Sequence, residues 1–452
     1  MLRRLHISMR IALLVAIFAV GAFAEDRFLV KVTGDVNGVA KRHGLKVVKS
    51  LTGSATGQYV LSFQGANPQT VLQQFSSEFA VNSAEAEKPV RLPGINAASR
   101  VHPAGAPAAA TRLSSMLIRY YSSYAASAYV NQPATDVIKL DRAHTLATGE
   151  GVVATIDTGA DFTHSVLRGS LISGWDFVHN APVGQEQADV NQETTPILDQ
   201  ETTPILDQET TPILDGGTAV ILQQETTPIL DQETTPILDG KKYPAYGHGT
   251  MVAGLIHLVA PDAKIMPLRA FGADGSATVS QIVDAIHFAA DHGVEVINMS
   301  FSVKQASAAL DAAIDYAVSK GIICVASAGN DNQANPQVWP AILGSVIGVA
   351  ATDNSMIRAS FSNYGSPLVT LAAPGAGVIT TYPGEHYAQV WGTSFSAPFV
   401  AGAAALLVDM NNRVSPAMAV TDLSHATAIG QQLGAGELDV YQACLAAAKK
   451  HD

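Results

Sequence analysis

The sequence is poor in cysteine and in positive charge. Its 452 residues include two cysteines, Cys324 and Cys444, and so few exclude a disulfide scaffold or a cysteine-rich metal centre. Both lie in apolar or Ala-rich stretches, so we expect two buried free thiols, with a bridge between them as the alternative. The 27 Lys and Arg residues are outnumbered by 39 Asp and Glu and form no basic block, which argues against nucleic acid as a partner.

Apolar residues make up 47% of the chain, enough for a large core and two folded units. In the first 24 residues, three arginines precede the apolar run 11–20, and Ala22-Phe23-Ala24 closes the segment. This pattern is typical of an export signal cut before Glu25, with an uncleaved anchor as the alternative. No later stretch has the length expected of a membrane span, so we expect a soluble mature protein, secreted or periplasmic.

Residues 25–92 show strand patterns at 28–32, 45–51, 58–63 and 81–90, with helix patterns at 36–43 and 68–79. This order is typical of a small α+β unit of the ferredoxin-like, split βαβ kind. Residues 93–124 follow as a linker, and its stretch 94–115 is rich in Ala, Pro, Gly and Ser. Proteolysis concentrates in such exposed stretches, so we expect cleavage there; the alternative is an N-terminal domain that stays attached.

One serine stands where an Ala-rich helix pattern begins, in Gly392-Thr393-Ser394. Pro398 is expected in the first helical turn, where proline is tolerated. The positive end of the helix would favour negative charge developing on a nearby carbonyl oxygen, as acyl transfer requires. The alternative is a serine that merely caps the helix.

Two distant stretches supply an acid and a base. A buried strand pattern ends in Asp157-Thr158-Gly159, and Gly247-His248-Gly249-Thr250 opens the apolar helix pattern 251–260. A hydroxyl nucleophile needs a base to take its proton and a carboxylate to orient that base, and this chain order is known among such triads. We therefore predict a triad of Asp157, His248 and Ser394. Strands alternate with helices around them, which predicts an α/β fold with a parallel sheet.

The three motifs resemble the signatures of the subtilisin-like serine proteases, the subtilases, over roughly residues 125–445. The resemblance implies a three-layer, parallel-sheet catalytic domain at 125–452 and makes residues 25–92 an inhibitory prodomain that is later removed. It also implies protein or peptide substrates and no cofactor for catalysis. It allows a structural calcium ion, although no acidic loop of the usual kind occurs outside the repeats described below.

Further site residues follow from the same resemblance. Asn330 is expected to donate its amide to the oxyanion. The expected substrate-binding residues are Ser300, Phe301, Ser302, Ala328 and Gly329. The family usually has glycine where Ser302 stands, so we expect a narrower main pocket. No metal site is expected: His248 and His257 are nine residues apart, not four, and His164 is taken as a structural surface residue.

An octapeptide, Gln-Glu-Thr-Thr-Pro-Ile-Leu-Asp, occurs five times between residues 192 and 239, together with one divergent unit at 216–223. The family has no such insertion. Each identical unit carries one Glu and one Asp but only two aliphatic residues, too few to form a folded repeat alone. We expect an acidic, extended surface loop without a catalytic role; a lid, an adhesive loop and a cation-collecting loop are the alternatives.

The sequence thus predicts a secreted serine endopeptidase made as a self-processed precursor. Two other classes remain as alternatives: a catalytically silent binding protein and an esterase on the same fold. The usual esterase motif Gly-x-Ser-x-Gly is incomplete here, because position 396 is serine.

Overall fold

The computed structural model of the protein describes residues 26–51, 57–64, 68–92, 116–186, 219–221, 244–411 and 414–449. The predicted export signal at 1–24 and the linker stretch 93–115 lie outside the described residues. The same holds for the repeat insertion at 192–239, apart from its residues 219–221.

The N-terminal unit, residues 26–92, is the predicted α+β unit. Its elements are β1 Asp26–Val32, α1 Val36–Arg42, β2 Lys46–Ser50, β3 Gln58–Phe63, α2 Pro68–Phe75, β4 Val81–Ala86 and β5 Pro89–Arg91. The first four strands form an antiparallel sheet in the order β2-β3-β1-β4. The single strand expected at 81–90 is wrong, because the chain leaves this sheet after β4 and Pro89 begins a strand that pairs elsewhere.

The second unit, residues 116–449, contains the main sheet. Its strands are β6 Leu117–Tyr120, β7 Ser123–Ala126, β8 Val152–Asp157, β9 Trp175–Asp176, β10 Ala181–Pro182, β11 Ala219–Ile221, β12 Lys264–Arg269, β13 Ser276–Thr278, β14 Val296–Met299, β15 Ile323–Ser327, β16 Val346–Thr352, β17 Leu371–Pro374, β18 Ala376–Tyr382 and β19 His386–Trp391. Eight of them form one sheet in the order β10-β9-β12-β8-β14-β15-β16-β17, parallel except for β10.

Helices cover both faces of this sheet. They are α3 Ser127–Val130, α4 Pro133–Val137, α5 Leu140–Ala143, α6 His248–Val259, α7 Val279–Asp291, α8 Ala308–Ser319, α9 Thr393–Met410, α10 Pro416–Leu423 and α11 Val440–Ala448, with a 3₁₀ turn at Gln431–Leu433. Helices α6 and α9 pack together in the core on one face, while α7 and α8 share the core on the other. The predicted three-layer α/β fold with a parallel sheet is confirmed.

The second unit begins earlier than expected. The hairpin of β6 and β7 begins within the expected linker 93–124, yet Tyr120 is buried in the core and its hydroxyl donates to the Leu258 carbonyl over 2.5 Å. The chain after this hairpin and α3 forms two short helices, α4 and α5. Lys139 adopts a left-handed conformation with φ of 60°, which separates α4 from α5.

Helix α9 corrects another expectation. Its 18 residues are long and apolar enough to cross a membrane, although no stretch after the export signal was expected to reach that length. Of this helix, 89% is buried inside the protein, so its apolar character on all sides is that of a core helix.

Both cysteines are buried and free, as predicted, and burial raises the pKa of each thiol to about 12.

The hairpin of β18 and β19 was not predicted, and it leads directly into the start of α9. Strand β11, the one described segment of the insertion, pairs in parallel with β19. This strand belongs to the divergent repeat unit, which lacks the proline of the other five and therefore keeps every backbone N–H.

The N-terminal unit packs on α7 and α8. Lys49 Nζ lies 2.5 Å from Asp284 Oδ2 on α7. Glu85 Oε1 accepts from Ser307 Oγ over 2.8 Å and from the Ala309 N–H over 3.0 Å, at the start of α8. Strand β5 pairs antiparallel with β13 of the second unit. The two units therefore share polar contacts, a strand pair and part of one core.

We predict that Gly402→Ala destabilises the fold, because α9 and α6 approach closely at this glycine. A Cβ at position 402 would lie 2.6 Å from the Val259 Cβ. The overlap should lower the free energy of unfolding by about 1–3 kcal/mol, measured by urea denaturation. Gly344→Ala is the matched control, since a Cβ there meets no atom within 4 Å. Equal stability of both variants would contradict the close helix contact.

Candidate active site

The predicted triad residues lie at the starts and ends of elements that meet at one edge of the main sheet. Asp157 is the last residue of β8, His248 the first of α6 and Ser394 the second of α9. Ser300 and Asn330 follow β14 and β15, the next parallel strands along the sheet. The carboxyl ends of parallel strands share one edge, so this topology brings the five residues to the same place.

Asp157 and His248 form a buried pair. Asp157 Oδ1 lies 2.7 Å from His248 Nδ1, and the Thr158 N–H donates to the same oxygen over 2.7 Å. Both side chains are at most 5% exposed. Because the carboxylate only accepts, Nδ1 carries the proton and Nε2 is left as the basic nitrogen.

Charge around the imidazole favours its protonated form. Burial lowers the pKa of His248, but the charge and hydrogen bond of Asp157 and the charge of Glu186 raise it, and the net pKa lies above the ordinary value. A general base must be neutral, so a reaction that uses His248 speeds up as pH rises through this raised pKa.

Ser394 is the second residue of α9, at the N-terminal end of this helix. The ring of the next residue, Phe395, has its centroid 5.3 Å from that of His248. The Ser394 hydroxyl donates to the Ser300 carbonyl over 3.2 Å rather than to the imidazole. It therefore has to leave this carbonyl before it can donate to His248, consistent with catalytic hydrogen bonds that form only with substrate bound.

Pro398 has a different position from the one expected. It is the sixth residue of α9, beyond the first turn. Proline has no N–H, so the Ser394 carbonyl lacks its usual donor four residues ahead. Ser300 Oγ donates to this carbonyl over 2.8 Å instead. Ser300 thus contacts Ser394 twice, at the backbone and at the hydroxyl.

The Asn330 amide is oriented by Thr393. Asn330 Oδ1 accepts from the Thr393 N–H over 2.9 Å and from Thr393 Oγ1 over 2.8 Å. A backbone N–H can only donate, so the bonded atom is the oxygen and Nδ2 remains a donor. Nδ2 lies 3.3 Å from where a Cβ of Gly392 would stand, just before Ser394. Thr393 also accepts from the Gly329 N–H over 3.0 Å.

Two of the residues predicted to bind substrate have their side chains in the core. Phe301 is fully buried and packs on Phe271, with ring centroids 5.4 Å apart, so its ring belongs to the core. Ala328 is also buried. Ser302 pairs antiparallel with Arg91, and its Oγ is buried without a hydrogen-bond partner, 3.5 Å from where a Cβ of Gly329 would stand.

Strand β5 of the N-terminal unit already lies along this segment. Its Arg91 is opposite both Ser302 and Ser276, and the Leu92 N–H donates to the Gly275 carbonyl over 3.0 Å. From Ser302, the antiparallel direction leads towards Ser300 and Ser394. An extended chain can therefore bind between β13 and residues 300–302 by adding a strand.

Two residues of this region were missed from the sequence. Thr393 stood inside the Gly-Thr-Ser motif and could have been singled out there. Glu186 carried no local signal, because its partners Gly247 and Thr250 are 61 and 64 residues away. Its carboxyl is fully buried next to Asp157.

No group of three His, Cys, Asp or Glu side chains that could hold a metal occurs among the residues that the structure describes. His257 points into the core, with Nδ1 3.0 Å from Ser170 Oγ, and burial lowers its pKa to about 4. His164 was expected at the surface, but it is buried and its Nε2 lies 3.1 Å from the His386 carbonyl oxygen.

A hydroxyl at a helix start, an imidazole oriented by a buried carboxylate and a free amide donor form a site suited to acyl transfer, the chemistry of serine hydrolases. The chain belongs to the subtilase family, whose sequence profile matches residues 149–442. The curated relatives that it matches include serine proteinases, subtilisins and alkaline proteases.

Two curated relatives illustrate the relationship. Thermitase of Thermoactinomyces vulgaris is 30% identical over 319 residues, which cover 68% of this chain and 93% of thermitase. The thermophilic serine proteinase of Bacillus sp. (strain AK1) is 36% identical over 255 residues, covering 56% of this chain and 51% of the relative. The chain thus spans about half the length of the Bacillus enzyme.

Solved structures show the same fold. Fervidolysin of Fervidobacterium pennivorans, described as a keratinolytic enzyme related to subtilisin, matches with a TM-score of 0.66 and 21% identity, covering 93% of this chain and 61% of fervidolysin. A protease of Pseudoalteromonas arctica matches with a TM-score of 0.55 and 26% identity, covering 71% of this chain and 96% of its own.

We predict that Asn330→Ala lowers kcat about 100- to 1,000-fold with little change in KM, because the amide would act on the oxyanion and not on the bound substrate. Steady-state hydrolysis of a chromogenic peptide measures both constants. Gln333→Ala, which alters an exposed side chain three residues on, serves as the control and should behave as wild type. A kcat close to that of wild type for Asn330→Ala would rule out this role.

Proposed function

We propose that this protein is an exported endopeptidase in which Ser394 is the nucleophile, His248 the general base and Asp157 the carboxylate that orients it. The observation that carries the proposal is the buried 2.7 Å contact between Asp157 Oδ1 and His248 Nδ1, with Phe395 of the Ser394 turn packed on the imidazole. These contacts support a common site for acid, base and hydroxyl at one edge of the sheet.

The reaction follows from these positions. His248 Nε2 takes the proton of the Ser394 hydroxyl as its oxygen attacks the peptide carbonyl, and Asp157 stabilises the imidazolium that forms. The Asn330 amide and the Ser394 N–H would hold the oxyanion. His248 then protonates the leaving amine, an acyl-enzyme forms on Ser394, and water activated by the same base releases the acid.

The substrate would bind as an extended strand between β13 and residues 300–302, with Ala328 and Gly329 beside it. The pairing of β5 with both segments supports this position. Backbone hydrogen bonds of this kind give affinity without sequence specificity, so selectivity would depend on side-chain pockets. The Ser302 hydroxyl narrows the region that faces Gly329.

Residues 25–92 would be an inhibitory prodomain. Their strand β5 lies where substrate is proposed to bind, and it runs towards Ser300 and Ser394. Cleavage in the linker at 93–115 would then release the cleft. The segment 1–24 would direct export before that, giving a soluble secreted or periplasmic enzyme without a membrane anchor.

We predict that Ser394→Ala abolishes removal of residues 25–92, because processing uses the same hydroxyl. Wild type and variant are expressed in parallel, and N-terminal sequencing and intact mass identify the products. Wild type should start within the linker, and the variant should retain the N-terminal unit. Ser396→Ala is the matched control two residues along the same helix, and it should mature normally because its hydroxyl makes no hydrogen bond.

Equal processing of wild type and Ser394→Ala would show that another protease cuts the linker. Labelling of mature wild type at Ser394 by an active-site organophosphonate then tests the nucleophile separately. An unlabelled protein would favour the catalytically silent binding protein, and a labelled protein that cuts esters but no peptides would favour the esterase.

We predict that deletion of residues 192–239 leaves peptide hydrolysis within about threefold of wild type, since expansions of a connecting segment are usually tolerated and β11 is only a three-residue edge strand beside β19. The contacts of Glu186 and Gly247 at the base of the insertion lie outside the deletion. The measurement is kcat/KM on a short peptide after maturation. A loss of more than tenfold would contradict the prediction and favour a lid.

A further inference from the structure

Glu186 is a buried carboxyl with an unusual number of partners. Its Oε1 accepts from Thr158 Oγ1 over 2.5 Å and from the Gly247 N–H over 2.7 Å. Its Oε2 accepts from the Thr250 N–H over 3.2 Å and from the Thr250 hydroxyl. Four donors thus converge on one side chain that is 1% exposed.

These donors come from the two segments that carry the acid and the base. Thr158 directly follows Asp157, and its hydroxyl also accepts from the Gly249 N–H over 2.9 Å. Gly247 directly precedes His248, and Thr250 lies in the first turn of α6. Glu186 therefore connects the end of β8 to the beginning of α6.

Helix α6 depends on this connection for its cap. Its N-cap residue is Gly247, which has no side chain to accept from the free N–H groups of the first turn. Glu186 Oε2 takes that role for the Thr250 N–H from 64 residues away in the sequence, and a negative charge there also suits the positive end of the helix. The orientation of the His248 backbone is thus fixed by a residue on the far side of the insertion.

We propose that Glu186 is a positioning residue for the triad, which holds His248 against Asp157 and adds negative charge next to the imidazole. The inference rests on the proposed roles of Asp157, His248 and Ser394 and extends them. The alternative is that Glu186 only joins the two ends of the insertion, without an effect on His248.

The electrostatics agree with this placement. Burial, together with the neighbouring charge of Asp157, raises the pKa of Glu186 to about 7. The hydrogen bonds from Thr158, Thr250 and Gly247 lower this pKa, but by less than burial raises it. The charge of Glu186 in turn raises the pKa of His248. Five titratable or charged groups surround Glu186: Asp157 of β8, His248 of α6, Tyr246 before α6, Tyr382 of β18 and Arg269 of β12. Arg269 contacts this region through the carbonyl of Gln185, to which its Nη1 donates.

The sign of the effect follows from the charge. Above its own pKa Glu186 is negative, and removing that charge makes protonation of His248 less favourable, so the neutral base is available at lower pH. Glu186→Gln should therefore shift the acid limb of the kcat/KM profile to lower pH by about 0.5–1 unit. The amide keeps one acceptor of two, so His248 is held less firmly and kcat should fall about 10-fold with KM little changed.

Two further variants separate charge from packing. Glu186→Asp keeps the charge on a shorter side chain, so its acid limb should stay at the wild-type position while kcat falls. Glu437→Gln is the matched control: Glu437 is also buried, with a pKa raised by burial to about 7, but it accepts from Thr352 and not from the segments of the triad. Its variant should keep both the acid limb and kcat of wild type.

The experiment compares pH profiles from about pH 5 to 9 for mature wild type and the three variants, with rates per active site titrated by an organophosphonate. An acid limb of Glu186→Gln at the wild-type position, or the same shift in Glu437→Gln, would overturn the proposal. If Glu186→Gln does not fold, Glu186→Asp decides: lowered kcat with an unmoved limb supports the role, and wild-type kcat overturns it.

Failure of the proposed function gives a different result. In that case wild type itself takes up no organophosphonate at Ser394. Labelled, active wild type with an unshifted Glu186→Gln profile leaves the triad in place and removes only the role of Glu186.

Discussion

The arrangement of the rest of the candidate active site depends on the hydrogen bond between Asp157 and His248. It joins the end of a buried strand to the start of a helix 91 residues later, and a shift of about 1 Å in either element costs much of the activity of such a site. Close packing of α6 against α9 fixes the helix from one side, at Gly402 and Val259. The ladder of β8 between β12 and β14 fixes the strand from the other.

The same edge combines rigid and adjustable parts. Asn330 and Thr393 are tied by two hydrogen bonds, and Ser300 donates to the carbonyl that Pro398 leaves without its helical donor. The Ser394 hydroxyl, in contrast, has one weak acceptor in the Ser300 carbonyl at 3.2 Å. Donors held in place thus surround a hydroxyl that can turn.

Local patterns in the sequence predicted the fold, and contacts between distant segments account for what they missed. Strand and helix periodicity placed β1, β3, α7 and the main parallel sheet, because burial on both faces leaves nearly continuous apolar runs. The hairpins β6–β7 and β18–β19 have no such runs. Phe301 looked like a cleft residue until its ring was found against Phe271. The role of Glu186 could not be predicted, since it depends on hydrogen-bond partners on the other side of the insertion.

The hydrogen bonds of Glu186 also separate the length of the insertion from the geometry of the triad. The chain before and after the insertion meets at the Glu186 carboxyl, which accepts from the Gly247 N–H. A gain or loss of octapeptide units would therefore change chiefly the entropy of closing the segment between them. That entropy grows only logarithmically, and even a doubling in length costs about 0.6 kcal/mol. A change in copy number would therefore add almost no penalty to folding.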